Sequence, residues 1–389
     1  MSPKPFNLSS DLKRLRDEGY FVQIRGGLLL MREIPYVNGQ RQVRSGTIIS
    51  SLNMAGDKTQ RPDTHVVHFD GEYPCNPDGS RIQQISHQSG DFNLGNGVTA
   101  RHSFSSKPAQ GYADYYEKMT TYAAILSGPA RVLDPKANPR TFRVPEEEED
   151  SVFNYTETAS DRVGIGALSE LLAKEKVAII GLGGTGSYVL DLVAKTSAQD
   201  IRLFDSDEFL QHNAFRAPGA PSIDELREAP KKVDYLKGIY SRMHRRIATY
   251  GSLSEANLYL LEGITFAFIC MDAGKAKERV VTKLEELGVS FVDVGMGLEL
   301  VDNSLGGILR LTTSTPTNRS HFRSRVSFEG GGEDDIYASN IQVADLNALN
   351  AALAVIKWKK LCGFYRDLER EHHSSYTTDG NMLLNGDEE

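Results

Sequence analysis

The chain has 389 residues, enough for two domains each with its own core, and its net charge of −8 argues against a general nucleic-acid binder. No apolar run approaches the ~20 residues that span a bilayer, and Met1 to Asp11 lacks the apolar core of a signal peptide. Its three cysteines, Cys75, Cys270 and Cys362, are scattered without a C-x-x-C pair, which suits a reducing cytoplasm and argues against a structural zinc site.

The first 144 residues read as an α+β domain. A helix is predicted across Ser10 to Asp17. Tyr20 to Ile24 and Gly27 to Arg32 look extended, and His65 to Phe69 reads as another strand before the turn at Asp70-Gly71. A second helix is predicted across Tyr112 to Leu126. His65, His68, His87 and His102 invite a metal reading. His65 and His68, however, lie three apart on a strand and face opposite sides, so ordinary strand histidines are expected.

Pro145-Glu-Glu-Glu-Glu-Asp150 opens an acidic, polar linker over 145–160, and 161–389 forms a second domain. Its strands and helices alternate, the signature of a parallel sheet. Strands are expected at Val177 to Ile180, Ile201 to Phe204, Ile264 to Cys270, Val289 to Val294 and Gly307 to Thr312. Helices are expected at Ser187 to Thr196, Lys275 to Leu287 and Val343 to Leu361, the last with Leu346, Leu349, Leu353 and Ile356 as its buried stripe.

The chemistry gathers around Gly181-Leu-Gly-Gly-Thr-Gly186, a glycine turn between a buried strand and a helix starting near Thr185. Gly181, Gly183, Gly184 and Gly186 let the backbone turn sharply and approach a phosphate, and the helix start offers unpaired N–H groups to an anion. Asp205 and Asp207 follow the next strand, where Asp205 can accept ribose hydroxyls. A dehydrogenase or a methyltransferase could use such a turn. The residues downstream point elsewhere, because Asn213, Arg216, Lys231, Lys232 and Asp272 supply the cations and the metal-binding carboxylate that a triphosphate needs.

In this order the residues resemble the ThiF/MoeB/ubiquitin-activating family of ATP-dependent adenylyltransferases, over about Asp161 to Leu361. The resemblance implies a Rossmann-like α/β fold, ATP and Mg2+, and a homodimer formed through this domain. The C-terminal carboxylate of a ubiquitin-like protein would attack the α-phosphate of ATP. The resemblance assigns Arg216 and Lys232 (or Lys231) to the phosphates, Asp272 to magnesium, Asp205 to ribose and Asn213 to ribose or phosphate. Arg162 is the candidate for an arginine reaching a dimer partner's ATP, against a plain surface cation. No cysteine lies between Met271 and Leu361, where relatives carry an acyl acceptor. The adenylate then passes to a separate conjugating enzyme or carrier, or a hydroxyl takes it. Ser339 is the candidate hydroxyl, against a helix N-cap role, and the Ser/Thr-rich stretch 312–327 reads as a mobile crossover loop that could hold another.

The first domain resembles the ubiquitin-conjugating fold more faintly, through the order of its elements and the run His65 to Ser80. Tyr73 stands at that family's motif histidine and Arg81 or Ile82 at its nucleophile; Cys75 falls too early in this register and is the alternative nucleophile if the register slips. A catalytically inactive module is expected. Together the two domains resemble a fusion from a bacterial ubiquitin-like conjugation system. Adenylation for sulfur-carrier or peptide modification, a nucleotide-sensing scaffold and an NAD-dependent oxidoreductase are the alternatives.

Overall fold

The computed structural model describes residues 6, 8–143, 151–162, 165–329 and 341–386, with the side chains of 161 and 162 outside that description. It divides into two compact units, Met1–Glu170 and Leu171–Glu389.

The first unit begins with α1 (Ser10–Asp17), β1 (Phe21–Arg25), β2 (Leu28–Val37), β3 (Val43–Ser51) and β4 (Val66–Asp70). It continues through β5 (Ser86–Gly95), β6 (Val98–Ser105) and α2 (Tyr115–Leu133). The six strands form an antiparallel sheet ordered β1-β2-β3-β4-β6-β5. Both helices pack on one face, where Leu12, Leu15, Met119, Tyr122 and Leu126 meet Leu29, Met31, Ile48, Phe69 and Phe104. α2 outruns its predicted end, continuing through Ser127-Gly128-Pro129 because Leu126 and Ala130 are both fully buried on that face. Its start is capped by Asp114, which accepts from the Glu117 N–H.

The second unit contains β7 (Lys176–Ile180), α3 (Gly184–Val193), β8 (Asp200–Phe204), α4 (Gln211–Ala214), α5 (Lys232–Tyr240) and β9 (Ile247–Tyr250). Then come β10 (Phe266–Ile269), α6 (Lys275–Glu286), β11 (Ser290–Val301), β12 (Ser304–Ser314), α7 (Ala344–Leu361), β13 (His373–Thr377) and β14 (Met382–Asn385). The sheet order is β9-β8-β7-β10-β11-β12-β13-β14. The first five strands are parallel and the last three joins antiparallel, so the sheet is mixed. Along β7, Val177 and Ile179 face a core shared with α3, α5 and α7, while Ala178 and Ile180 face one shared with α6. A strand covered on both faces is apolar throughout, as β7 is.

Several expectations shift. β11 runs past Val294 to Val301 and turns back through Asp302-Asn303, both with positive φ, as a two-residue hairpin turn demands. The β13–β14 hairpin at the sheet edge was not foreseen. Within 312–327, Thr312, Thr313 and Ser314 are buried in β12 and Phe322 is fully buried, so the stretch is largely packed rather than a free loop. The buried stripe of α7 is Asn347, Asn350, Ala351, Ala354, Val355 and Trp358, one step around from the leucines, and Ile356 is exposed. Among the described residues, no helix is long and apolar enough to cross a membrane.

Candidate functional site

Counted in chain order, the parallel strands lie 3-2-1-4-5, so the strand order reverses between β7 and β10. In open α/β sheets ligands bind in the crevice at the carboxyl ends of the strands flanking such a reversal. The glycine turn follows β7 at that point, and Asp272 follows β10.

Each glycine has a different reason. Gly181 has φ +89°, and a Cβ there would lie 2.5 Å from the Cys270 carbonyl oxygen across the crevice. A Cβ on Gly186 would press into the Gly181 carbonyl, 3.0 Å from its carbon and 3.2 Å from the Cβ of Cys270. One on Gly184 would meet the Asn347 amide, 2.6 Å from its oxygen. Gly183 is the N-cap of α3, and a Cβ there would meet nothing within 4 Å. Three glycines therefore serve close packing, and the open space above the turn lies over Gly183.

The carboxylates divide similarly. Asp205 accepts from the Leu182 N–H at 2.7 Å and the Asp207 N–H at 2.8 Å, so both of its oxygens brace the turn. Asp207 is 68% exposed and bonds Lys232 Nζ at 2.7 Å, with Asp205 at 3.9 Å from the same nitrogen. Lys232 is held there because its N–H donates to the Asp207 carbonyl and Phe209 N–H to that of Pro230. Its side chain is only 8% exposed, whereas Lys231 is half exposed and lies beside Glu208. Of the two lysines, Lys232 is the one beside Asp205 and Asp207.

Asn213 is buried, and its Oδ1 accepts from the Leu210 N–H at 2.9 Å, capping α4. That cap sets the helix from which Arg216 follows, its N–H donating to the Asn213 carbonyl. Arg216 is half-buried, its Nε is buried without a hydrogen-bond partner, and burial lowers its basicity while the Asp272 carboxylate opposes that. Arg162 ends the short helix Ala159–Arg162 in the other unit, and its side chain lies outside the described residues. Ser339 also lies outside them; the residue capping α7 is Val343.

Two residues that sequence reasoning passed over belong here. His212 precedes Asn213, and burial together with the cations of Arg216 and Lys232 holds its imidazole below the usual range. Its place beside the N-x-x-R spacing was a usable signal. Asn347 is buried on α7, accepts from Thr185 Oγ1 at 2.9 Å and offers its Nδ2 to the Arg216 carbonyl at 3.5 Å. Nothing local in the sequence marks it, because its partners are 131 and 162 residues away.

The thiols are poorly disposed to react. Cys270 lies just past β10, partly buried against the core, and burial pushes its thiol far up. The Cys362 thiol is pushed up to about 12 by burial. In the first unit Cys75 is buried, bridged to Val37 and Arg81, and burial raises its thiol too. Tyr73 packs edge-on to His102 and Phe104 with the Arg81 guanidinium over its ring. His68 packs on Phe92, and His87 bonds Ser103 at 2.9 Å.

The fold and site define a doubly wound α/β unit with a glycine turn and two cations at its switch point. Residues 10–158 match the family model described as "Domain of unknown function (DUF6791)". No curated protein matches the chain. Among solved structures, the chain is similar to PaaA, at 17% identity over 58% of this chain and 76% of that one, with a TM-score of 0.45. It is also similar to E. coli MccB with ATP, at 15% identity over 59% and 68%, with a TM-score of 0.43. The structure of the microcin C7 biosynthetic enzyme MccB in complex with N-formylated MccA is similar at 16% identity over 56% and 65%, with a TM-score of 0.43.

Proposed function

We propose that the second unit binds ATP and adenylates a carboxylate at the C-terminus of a protein or peptide, a ubiquitin-like protein being the proposed donor. The observation that carries this reading is the convergence at the switch point. There Arg216, with an unpartnered buried Nε, lies near Asp272, and Lys232 lies near Asp205 and Asp207, beside a turn with open space above Gly183.

In this reading the triphosphate lies over Gly183 at the start of α3, whose N–H groups face the anion. Arg216 and Lys232 neutralise charge that builds on the α-phosphate and on the departing pyrophosphate. The carboxylate oxygen forms a bond to the α-phosphorus as the bond to the bridging oxygen breaks, giving an acyl-adenylate and pyrophosphate. Ribose falls to Asp207 rather than Asp205, because the Asp205 side chain is 9% exposed and braces two backbone N–H groups, whereas that of Asp207 is 68% exposed. Magnesium needs only one or two protein carboxylates when phosphates and water complete its shell, so Asp272 suffices to hold it, and bound there it would offset phosphate charge.

No thiol in this unit is exposed and acidic enough to take the acyl group. The adenylate therefore passes to a hydroxyl or to a separate conjugating enzyme or carrier. The first unit is proposed as a non-catalytic module in the manner of a ubiquitin-conjugating fold, and the protein as a homodimer through its second unit. ATP–pyrophosphate exchange dependent on a glycine-ended ubiquitin-like partner, and lost in Arg216→Ala and Asp272→Ala, is the expected result. Exchange that survives both substitutions overturns the site. Mass spectrometry after incubation with ATP and partner, with and without hydroxylamine, identifies the acceptor.

A further inference from the structure

We infer that Asn347 is the positioning residue that holds the two halves of the phosphate site at a fixed separation, an inference that rests on the adenylation reading above. One half is the glycine turn with the start of α3; the other is the segment after α4 that carries Arg216. They are far apart in the chain and share no direct hydrogen bond among those described. Asn347, in the first turn of α7 and 1% exposed, joins them. Its Oδ1 accepts from Thr185 Oγ1 at 2.9 Å, and its Nδ2 reaches the Arg216 carbonyl at 3.5 Å.

Shape agrees with bonding. The amide occupies the space that a Cβ on Gly184 would take, so a glycine is required at 184 for this side chain to seat. The Arg216 carbonyl selects the orientation of this buried amide, because flipping it would set acceptor against acceptor there, whereas the Thr185 hydroxyl can donate or accept. α7 thus fixes where the Arg216 backbone stands relative to the α3 N-terminus, and with it the phosphate-binding width. Asn347, buried below the turn, acts through Thr185, Gly184 and Arg216.

The test uses the full chain and two probes, Mg-ATP and adenosine. Asn347→Ala should raise amide hydrogen exchange in 181–187 and 213–218 by about tenfold, leaving the β11–β12 hairpin unchanged. It should weaken Mg-ATP about tenfold with little effect on adenosine, which a merely destabilising substitution would not do. Asn347→Asp keeps the acceptor for Thr185 and loses the donor, so it should loosen 213–218 alone. Thr185→Val should loosen 181–187 alone, and these two keep the test open if Asn347→Ala fails to fold. Unchanged exchange in both segments, or equal losses for ATP and adenosine, overturns the inference. A wild-type chain that binds no ATP overturns the adenylation reading instead, while the exchange data still decide whether Asn347 couples the segments.

Discussion

Substituting two glycines three positions apart should have opposite consequences. In Gly186→Ala the new methyl presses on the Gly181 carbonyl and lies 3.2 Å from the Cβ of Cys270. The carbonyl cannot retreat freely, since the Gly181 N–H is bonded to the Phe204 carbonyl at 2.8 Å and the residue is locked at φ +89°. Overpacking of this kind costs roughly 1–3 kcal/mol, and the absence of slack puts it near the top, about 3 kcal/mol. For a unit of this size that lowers the melting midpoint by about 10 °C. Gly183→Ala meets nothing within 4 Å; its φ of −69° is ordinary and its ψ of −153° lies just past the broad β region, so it should cost about 1 kcal/mol, well below Gly186→Ala. Its methyl would nonetheless stand in the space assigned to phosphate and should weaken Mg-ATP by about tenfold or more. Calorimetric melting and isothermal titration read both quantities. A Gly186→Ala midpoint within about 2 °C of wild type, or a Gly183→Ala variant less stable than Gly186→Ala, would refute the division of labour among the glycines.

Asp205→Asn should destabilise the second unit by about 1–3 kcal/mol through the two N–H groups it braces, whereas Asp207→Asn should leave stability unchanged and weaken nucleotide binding; denaturant midpoints and titration separate them, and the reverse pattern returns ribose to Asp205. Lys277→Met strips buried Asp293 of its ion-pair partner at 2.5 Å, leaving Arg310 at 2.8 Å, and should cost about 3 kcal/mol. Trp358, the single tryptophan and fully buried in the same unit, reports that loss by fluorescence, and a change below about 1 kcal/mol counts against it. In the first unit Lys118 is fully buried with Ser50 Oγ at 2.9 Å, and burial lowers its pKa to about 7. The unfolded chain holds that proton up to its ordinary pKa near 10.4, so folding releases it and stability rises by up to about 1.4 kcal/mol per pH unit between about 7 and 10. Below pH 7 both states are protonated and the slope vanishes. Lys118→Met should abolish the slope and stabilise the unit at neutral pH; calorimetry at pH 7 and pH 9 showing the same slope in both proteins would contradict this.

Local order left clear traces in the sequence. Ser10–Asp17 forms a helix as patterned, and the apolar run of β7 followed by glycines reads directly as strand and turn, because period and backbone freedom are properties of neighbouring residues. The N-x-x-R spacing was equally legible: Asn213 caps the short helix that leads to Arg216. The leucine stripe of α7 misled because a helix with apolar residues on two sides has no unique inward face by pattern alone. What turns Asn347 and Asn350 inward is the glycine-rich start of α3 and the Gly295 carbonyl, to which Asn350 donates at 3.1 Å. Likewise, Asp205 and Asp207 are equivalent carboxylates on paper; the fold buries one against the Leu182 and Asp207 N–H groups and exposes the other. By itself, then, the sequence determined that a glycine turn, two carboxylates and paired cations follow one another along alternating strands and helices. Only the tertiary structure decided which glycines are spacers, which carboxylate is available and that α7 ties the halves together, since each depends on atoms brought into contact across the sheet's switch point from positions far apart in the chain.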